Sequence, residues 1–88
     1  YLKDYSNAIN YYEKGIEINS NDCDILNNHG VALAKINKIE EAKKYFNKAL
    51  RINSKHKTVK YNIENLNSLN IEGLFIEDSM ANLLKTII

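Results

Sequence analysis

Apolar residues along this chain recur at intervals of three and four, the spacing of one face of an α-helix. Ile25, Leu26, His29, Gly30, Leu33 and Ile36 form one such stripe and predict a helix over residues 22–36. Ala42, Phe46, Ala49 and Leu50 form a second after a restart at Ile39, and Ala8, Tyr12, Gly15 and Ile16 form an earlier one. Val59, Ile63 and Leu66 open a fourth. Ser20, Asn21 or Asp22 is placed to cap the helix over 22–36. Asn37 is placed to end it in a left-handed conformation. Consecutive helices joined by so few residues must run antiparallel.

The stripes repeat. At an offset of 34, residues 1–20 fall on residues 35–54 with six identities: Ala8/Ala42, Tyr11/Tyr45, Lys14/Lys48, Ile18/Ile52, Asn19/Asn53 and Ser20/Ser54. Tyr12/Phe46, Gly15/Ala49 and Ile16/Leu50 are similar in kind. Each unit therefore carries a helix with a small residue, then an aromatic one, then a second small residue. Small side chains let a neighbouring backbone approach, and the aromatic fills the space between them. Gly15 in mid-helix costs up to about 1 kcal/mol relative to Ala, which close packing offsets. Past Ser54 the apolar period persists without the small residues: Ile76, Met80, Leu83 and Leu84 stand 34 after Ala42, Phe46, Ala49 and Leu50. A turn at 70–73 and a terminal helix over 75–88, with Ile87 and Ile88 on its apolar side, are expected.

At 88 residues the chain has room for one small domain with a thin core. Proline is absent, which favours helix, and Asn occurs 14 times. Lys and Arg number 12 against 11 Asp and Glu, a net charge of +1 that gives no support for nucleic-acid binding. Glu40 and Glu41 interleave at helical spacing with the basic run Lys43, Lys44, Lys48, Arg51, Lys55, Lys57 and Lys60. That is the pattern of a solvated face with weak ion pairs. No apolar run approaches the ~20 residues of a membrane-spanning helix. A single cysteine, Cys23, cannot form an internal disulfide, and a reducing, cytoplasmic setting is the simpler expectation.

Asp22, Cys23, Asp24 and His29 do not have metal-ligand spacing. There is no Gly-rich phosphate loop and no nucleophile elbow. Neither a metal, a cofactor nor enzymatic chemistry is expected. His29 reads as a core histidine, His56 as an exposed residue near a helix start, and Cys23 as a surface or half-buried thiol.

The 34-residue period, with Leu26, Gly30, Leu33, Ala42-x3-Phe46-x2-Ala49-Leu50 and Ile52-Asn53-Ser54, resembles the tetratricopeptide repeat. The likeness is most specific over 23–56, good over 5–22 and weaker beyond Lys57. Ser20 and Ser54 stand where that family often has proline. The resemblance implies an all-α fold, a right-handed superhelix of antiparallel helical hairpins with about 2.5 repeats. These would be a partial repeat over 1–22 (mostly its second helix), a complete one over 23–56, and a degenerate repeat or capping helices over 57–88. It also implies a protein–protein interaction module or scaffold, whose first helices line a concave groove for a peptide or partner helix. The alternative is a substrate-recruiting or regulatory repeat segment of a larger enzyme.

By position in that repeat, the groove residues are Asp24, Asn27, Asn28, Val31, Ala34 and Lys35, joined by Thr58, Tyr61, Asn62 and Asn65 from the third unit. Asn28 and Asn62 are 34 apart, at a place where Asn in several family members grips the ligand's peptide backbone. A carboxamide offers donor and acceptor together, so it pairs with a peptide unit whatever the side chain. Members that clamp a terminal carboxylate need basic residues where this chain has Thr58 and Asn62. Tyr1, Leu2, Tyr5, Ile9 and Tyr12 at one end, and the apolar tail at the other, lack a covering helix. Self-association through those ends is expected.

Overall fold

A computed structural model of the chain describes residues 4–76. Among them are four α-helices and no strand: α1 Tyr5–Ile18, α2 Cys23–Lys35, α3 Ile39–Ile52 and α4 Lys57–Asn67, followed by a 3-10 turn at Ile71–Gly73. The architecture is an all-α helical-repeat solenoid. Helix α2 packs along both α1 and α3, and it also meets α4.

Local chemistry sets the helix ends. Of the three candidate caps, Asp22 does the work: its Oδ1 accepts from the Asp24 N–H at 3.0 Å and the Ile25 N–H at 3.2 Å. Lys38 makes no side-chain cap for α3, but Glu40 and Glu41 in the first turn and Arg51 in the last complement the helix dipole. Asn19 and Asn53 end α1 and α3 in nearly the same extended conformation. Their side-chain oxygens accept from the N–H groups of Asn21 and Lys55, at 3.2 and 3.1 Å. This pair of side-chain turns explains one identity in the repeat, because a short carboxamide can reach the N–H two residues on.

Helices α2 and α4 end in one motif. Asn37 lies at φ 66 and Leu69 at φ 59. After α2 the N–H groups of Asn37 and Lys38 donate to the carbonyls of Ala34 and Leu33; after α4 those of Leu69 and Asn70 donate to Leu66 and Asn65. Leu69 follows Asn37 by 32 residues rather than 34, so α4 stops two residues early against the period.

The core is built from the small–aromatic–small pattern. Ala42, Phe46 and Ala49 of α3 and Leu26 of α2 are fully buried and share a cluster with Leu33 and Val59. A Cβ added to Gly30 would lie 2.7 Å from Phe46 Cε1, so the ring occupies the space that glycine leaves open. Ala8, Tyr12 and Ala32 make a second cluster between α1 and α2. His29 is buried between two aromatic edges, 6.4 Å from the Tyr12 ring centroid and 4.2 Å from that of Tyr45. Burial lowers the His29 pKa despite the opposing field of Glu13 and Glu41. Burial, with Tyr11 nearby, pushes the Tyr12 phenol up to about 12.

Four expectations change. Ile36 is not on the inward stripe: it is the C-cap residue of α2 and 37% exposed, because the chain has already left the helical path there. Tyr12 is not left bare; the small side chain of Ala32 admits it, and it is 1% exposed. His56 is not exposed but half-buried, with its ring turned toward α2. Residues 74–76 are not helical, and Leu74 is extended at φ −77, ψ 138. The remaining tail positions, including Met80, Leu83, Leu84, Ile87 and Ile88, lie outside the described residues, as do Tyr1 and Leu2.

Candidate functional site

Helices α2 and α4 lie on the same side of the solenoid and bring their asparagines together. Asn27, Asn28 and Asn62 are each 0% exposed. Three polar side chains buried at one place require partners, and the main chain of residue 75 supplies several. Asn62 Nδ2 donates to the Phe75 carbonyl at 2.8 Å, and Asn62 Oδ1 accepts from the Phe75 N–H at 2.8 Å. One carboxamide thus reads both polar groups of a single residue. Asn27 Nδ2 donates to the same carbonyl at 3.1 Å. Asn62 Nδ2 also donates to Asn27 Oδ1 at 2.7 Å, and Asn27 Nδ2 to Asn28 Oδ1 at 3.1 Å. The three amides form a chain in which each bond orients the next.

The rest of the face surrounds this cluster. Lys35, half-buried at the end of α2, donates from Nζ to the Ile71 carbonyl at 3.1 Å. Val31 and Ala34 are buried and belong to the same apolar cluster as Leu74, Ile71 and Ile76. The Tyr61 ring lies beside that of Phe75, with centroids 5.3 Å apart. Asn65 is half-buried; its amide donates to the Tyr61 carbonyl, and its oxygen accepts from Asn70. Thr58 is half-buried near the start of α4.

At the far end, Asp24 pairs with His56. His56 is the N-cap of α4: Nδ1 accepts from the Val59 N–H at 3.4 Å. The network therefore places a proton on Nε2, which donates to Asp24 Oδ1 at 3.0 Å. This contact joins the start of α2 to the start of α4 and so helps to set the width of the face.

The groove positions read from the sequence thus lie on one face, spread over α2 and α4. Sequence reasoning missed His56 and the main chain of residues 71–75 as parts of it. The clue for His56 was its place 34 after Asp22, the cap of the preceding unit. The backbone groups of residue 75 carry no sequence signal at all.

Other chemistry is sparse. Cys23 is half-buried and donates from Sγ to the Ala49 carbonyl at 3.5 Å. Burial and the flanking carboxylates of Asp24 and Asp22 push its thiol pKa up, away from nucleophilic use. Lys44, Tyr45, Asn47, Lys48 and Arg51 line a shallow concavity on α3. Lys43 pairs with Glu40 at 3.5 Å in solvent, a contact of little energetic weight. Among the described residues, no three His, Cys, Asp or Glu side chains are grouped to hold a metal ion. No helix there is long and apolar enough to cross a membrane.

The family model described as "Tetratricopeptide repeat" matches residues 1–22 and 24–56. Sperm-associated antigen 1 of Rattus norvegicus is 39% identical over 62 residues, which is 70% of this chain. The chain spans only 7% of the length of that relative. No solved structure matches. The family match covers more than half of the chain, and the chain belongs to the tetratricopeptide repeat family.

Proposed function

We infer that this chain is a protein–protein interaction module whose α2–α4 face binds an extended peptide by its backbone. Repeats of this family generally mediate protein–protein contacts, and they are non-catalytic. The observation that carries the finer reading is the double contact of Asn62 with the N–H and C=O of one residue. Such a contact costs no side-chain specificity and suits any extended segment. Asn27 reinforces it on the carbonyl side, Lys35 takes a second carbonyl two helical turns away, and Val31 and Ala34 offer apolar ground between them. The half-buried, lone thiol of Cys23 fits a reducing compartment such as the cytoplasm.

The chain matches a small part of a much longer relative. A second reading is therefore that the module recruits a partner or substrate for a larger protein, an enzyme included. Sequence adjoining this chain in its parent protein separates the two.

The test is a peptide selected from a displayed random library against the chain, with affinity measured by calorimetry. Asn62→Asp keeps the acceptor and removes the donor at nearly constant volume. Measured in the Phe75→Pro background, where the chain's own residue 75 no longer donates an N–H to this amide, it is expected to weaken binding by about tenfold or more, the scale of one hydrogen bond to a buried group. Undiminished affinity with retained helix content overturns the assignment of this face.

A further inference from the structure

The face that reads peptide backbone already holds a peptide: residues 71–76 of the same chain. By the 34-residue period, a helix equivalent to α3 would begin at Gly73. Instead, the left-handed Leu69 ends α4 early, the Asn70 side chain bonds to Asn65 Oδ1 at 2.7 Å, and the 3-10 turn at Ile71–Gly73 returns the chain across α4 and α2. Leu74 then lies 8% exposed against the face, Phe75 points outward at 58%, and Ile76 is half-buried. That in–out–in alternation is that of an extended strand. The hydrogen bonds from Lys35, Asn27 and Asn62 to this segment all end on main-chain groups. Nothing in that set of bonds is particular to the residues that occupy it.

We propose that residues 71–76 are an intramolecular latch that competes with the module's ligand, and that the ligand is an extended segment with apolar residues flanking the clamped one, as Leu74 and Ile76 flank Phe75. The proposal rests on the peptide-binding reading of the α2–α4 face. A tethered competitor acts at an effective concentration on the order of millimolar. The apparent affinity for a free peptide falls by the fraction of molecules in which the latch is open. Two features make release practicable. The latch presents Phe75 to solvent rather than sinking it into the core, and its turn depends on the strained backbone of Leu69.

The test uses the 88-residue chain and a fluorescein-labelled heptapeptide with the sequence of residues 70–76, followed by fluorescence polarisation. Phe75→Pro removes the N–H that Asn62 accepts and puts a ring carbon in its place, while Leu74 already has the conformation a following proline requires. Gly73→Val acts elsewhere: its Cβ would lie 2.5 Å from Asn70 Nδ2 and 2.8 Å from Asn65 Oδ1, so it displaces the side-chain bond that braces the turn without touching the clamp. Each variant, with its helical circular dichroism equal to wild type, is expected to bind the heptapeptide at least about tenfold tighter than wild type does. Adding Asn62→Asp to either variant removes the gain. Equal affinity in wild type and both released variants overturns the latch and leaves the peptide-binding reading standing. Binding in none of them overturns both. A gain that survives Asn62→Asp places the heptapeptide elsewhere and overturns the latch.

Discussion

Gly30 lies under the ring of Phe46 so closely that its missing Cβ would sit 2.7 Å from Cε1 and 2.9 Å from Cδ1. The ring is fully buried and has nowhere to swing. Gly15, the other helical glycine, meets only the Cδ1 tip of half-buried Ile25, at 3.0 Å. The two glycines therefore answer the same substitution with opposite signs. Gly30→Ala is expected to destabilise by about 1–3 kcal/mol through overpacking. Gly15→Ala is expected to stabilise by up to about 1 kcal/mol through helix propensity, the Ile25 tip rotating aside. Urea unfolding of the two variants decides it; changes of one sign would contradict the packing described.

His29 makes the domain sensitive to acid. Its folded pKa lies below the ordinary histidine value because burial disfavours the imidazolium. The unfolded chain therefore binds the proton more readily. Stability falls as pH drops through about 6.5 toward the folded value, with a slope of at most about 1.4 kcal/mol per pH unit. His29→Leu removes this dependence and also the buried Nδ1, which has no hydrogen-bond partner among the described residues. Unfolding curves at pH 7.5 and pH 5.5 are expected to differ more for wild type than for the variant. Parallel losses in the two would show that His29 is not the source.

Leu69 is a β-carbon-bearing residue in a left-handed conformation, with its side chain 70% exposed. Such a backbone costs roughly 1–2 kcal/mol for an ordinary residue. Leu69→Gly relieves it, gives back part through the freedom of the unfolded chain, and leaves the core untouched. A net gain of about 0.5–1 kcal/mol is expected, a rise of several degrees in Tm for a domain of this size. Asn37→Gly, at a residue type that tolerates this conformation, is expected to gain less. A lower Tm for Leu69→Gly would count against the left-handed end of α4.

The fold was legible because its causes are local and repeated. Ala8/Ala42, Tyr12/Phe46 and Gly15/Ala49 mark helix faces at a fixed offset, and Asn19/Asn53 mark the turns between them. Asp22, Asn37 and the antiparallel hairpins follow from capping chemistry and short connections. The site was legible only on one side. The period puts Asn27, Asn28 and Asn62 on a common face, but their partner at residue 75 lies 13 positions from Asn62 and 48 from Asn27. It is main chain, so no side-chain pattern announces it. The continuing apolar period past residue 70 pointed to another helix. The conformation at Leu69, a residue with no left-handed preference, turns the chain aside, and residues 74–76 are not helical. Four of the 14 Asn divide between two separate physical roles, turn formation at Asn19 and Asn53 and backbone pairing at Asn27 and Asn62.

Helix α2 is buried without a break from Leu26 to Ala34. An ordinary surface helix buries one stripe and keeps a wet side. Linear repeat arrays, in which each unit touches only its neighbours, tend to fray from their ends. Here α1, α3 and α4 all lean on one central rod. Removing any of them bares part of α2, so the four helices are expected to unfold together as one cooperative unit rather than to peel off one by one.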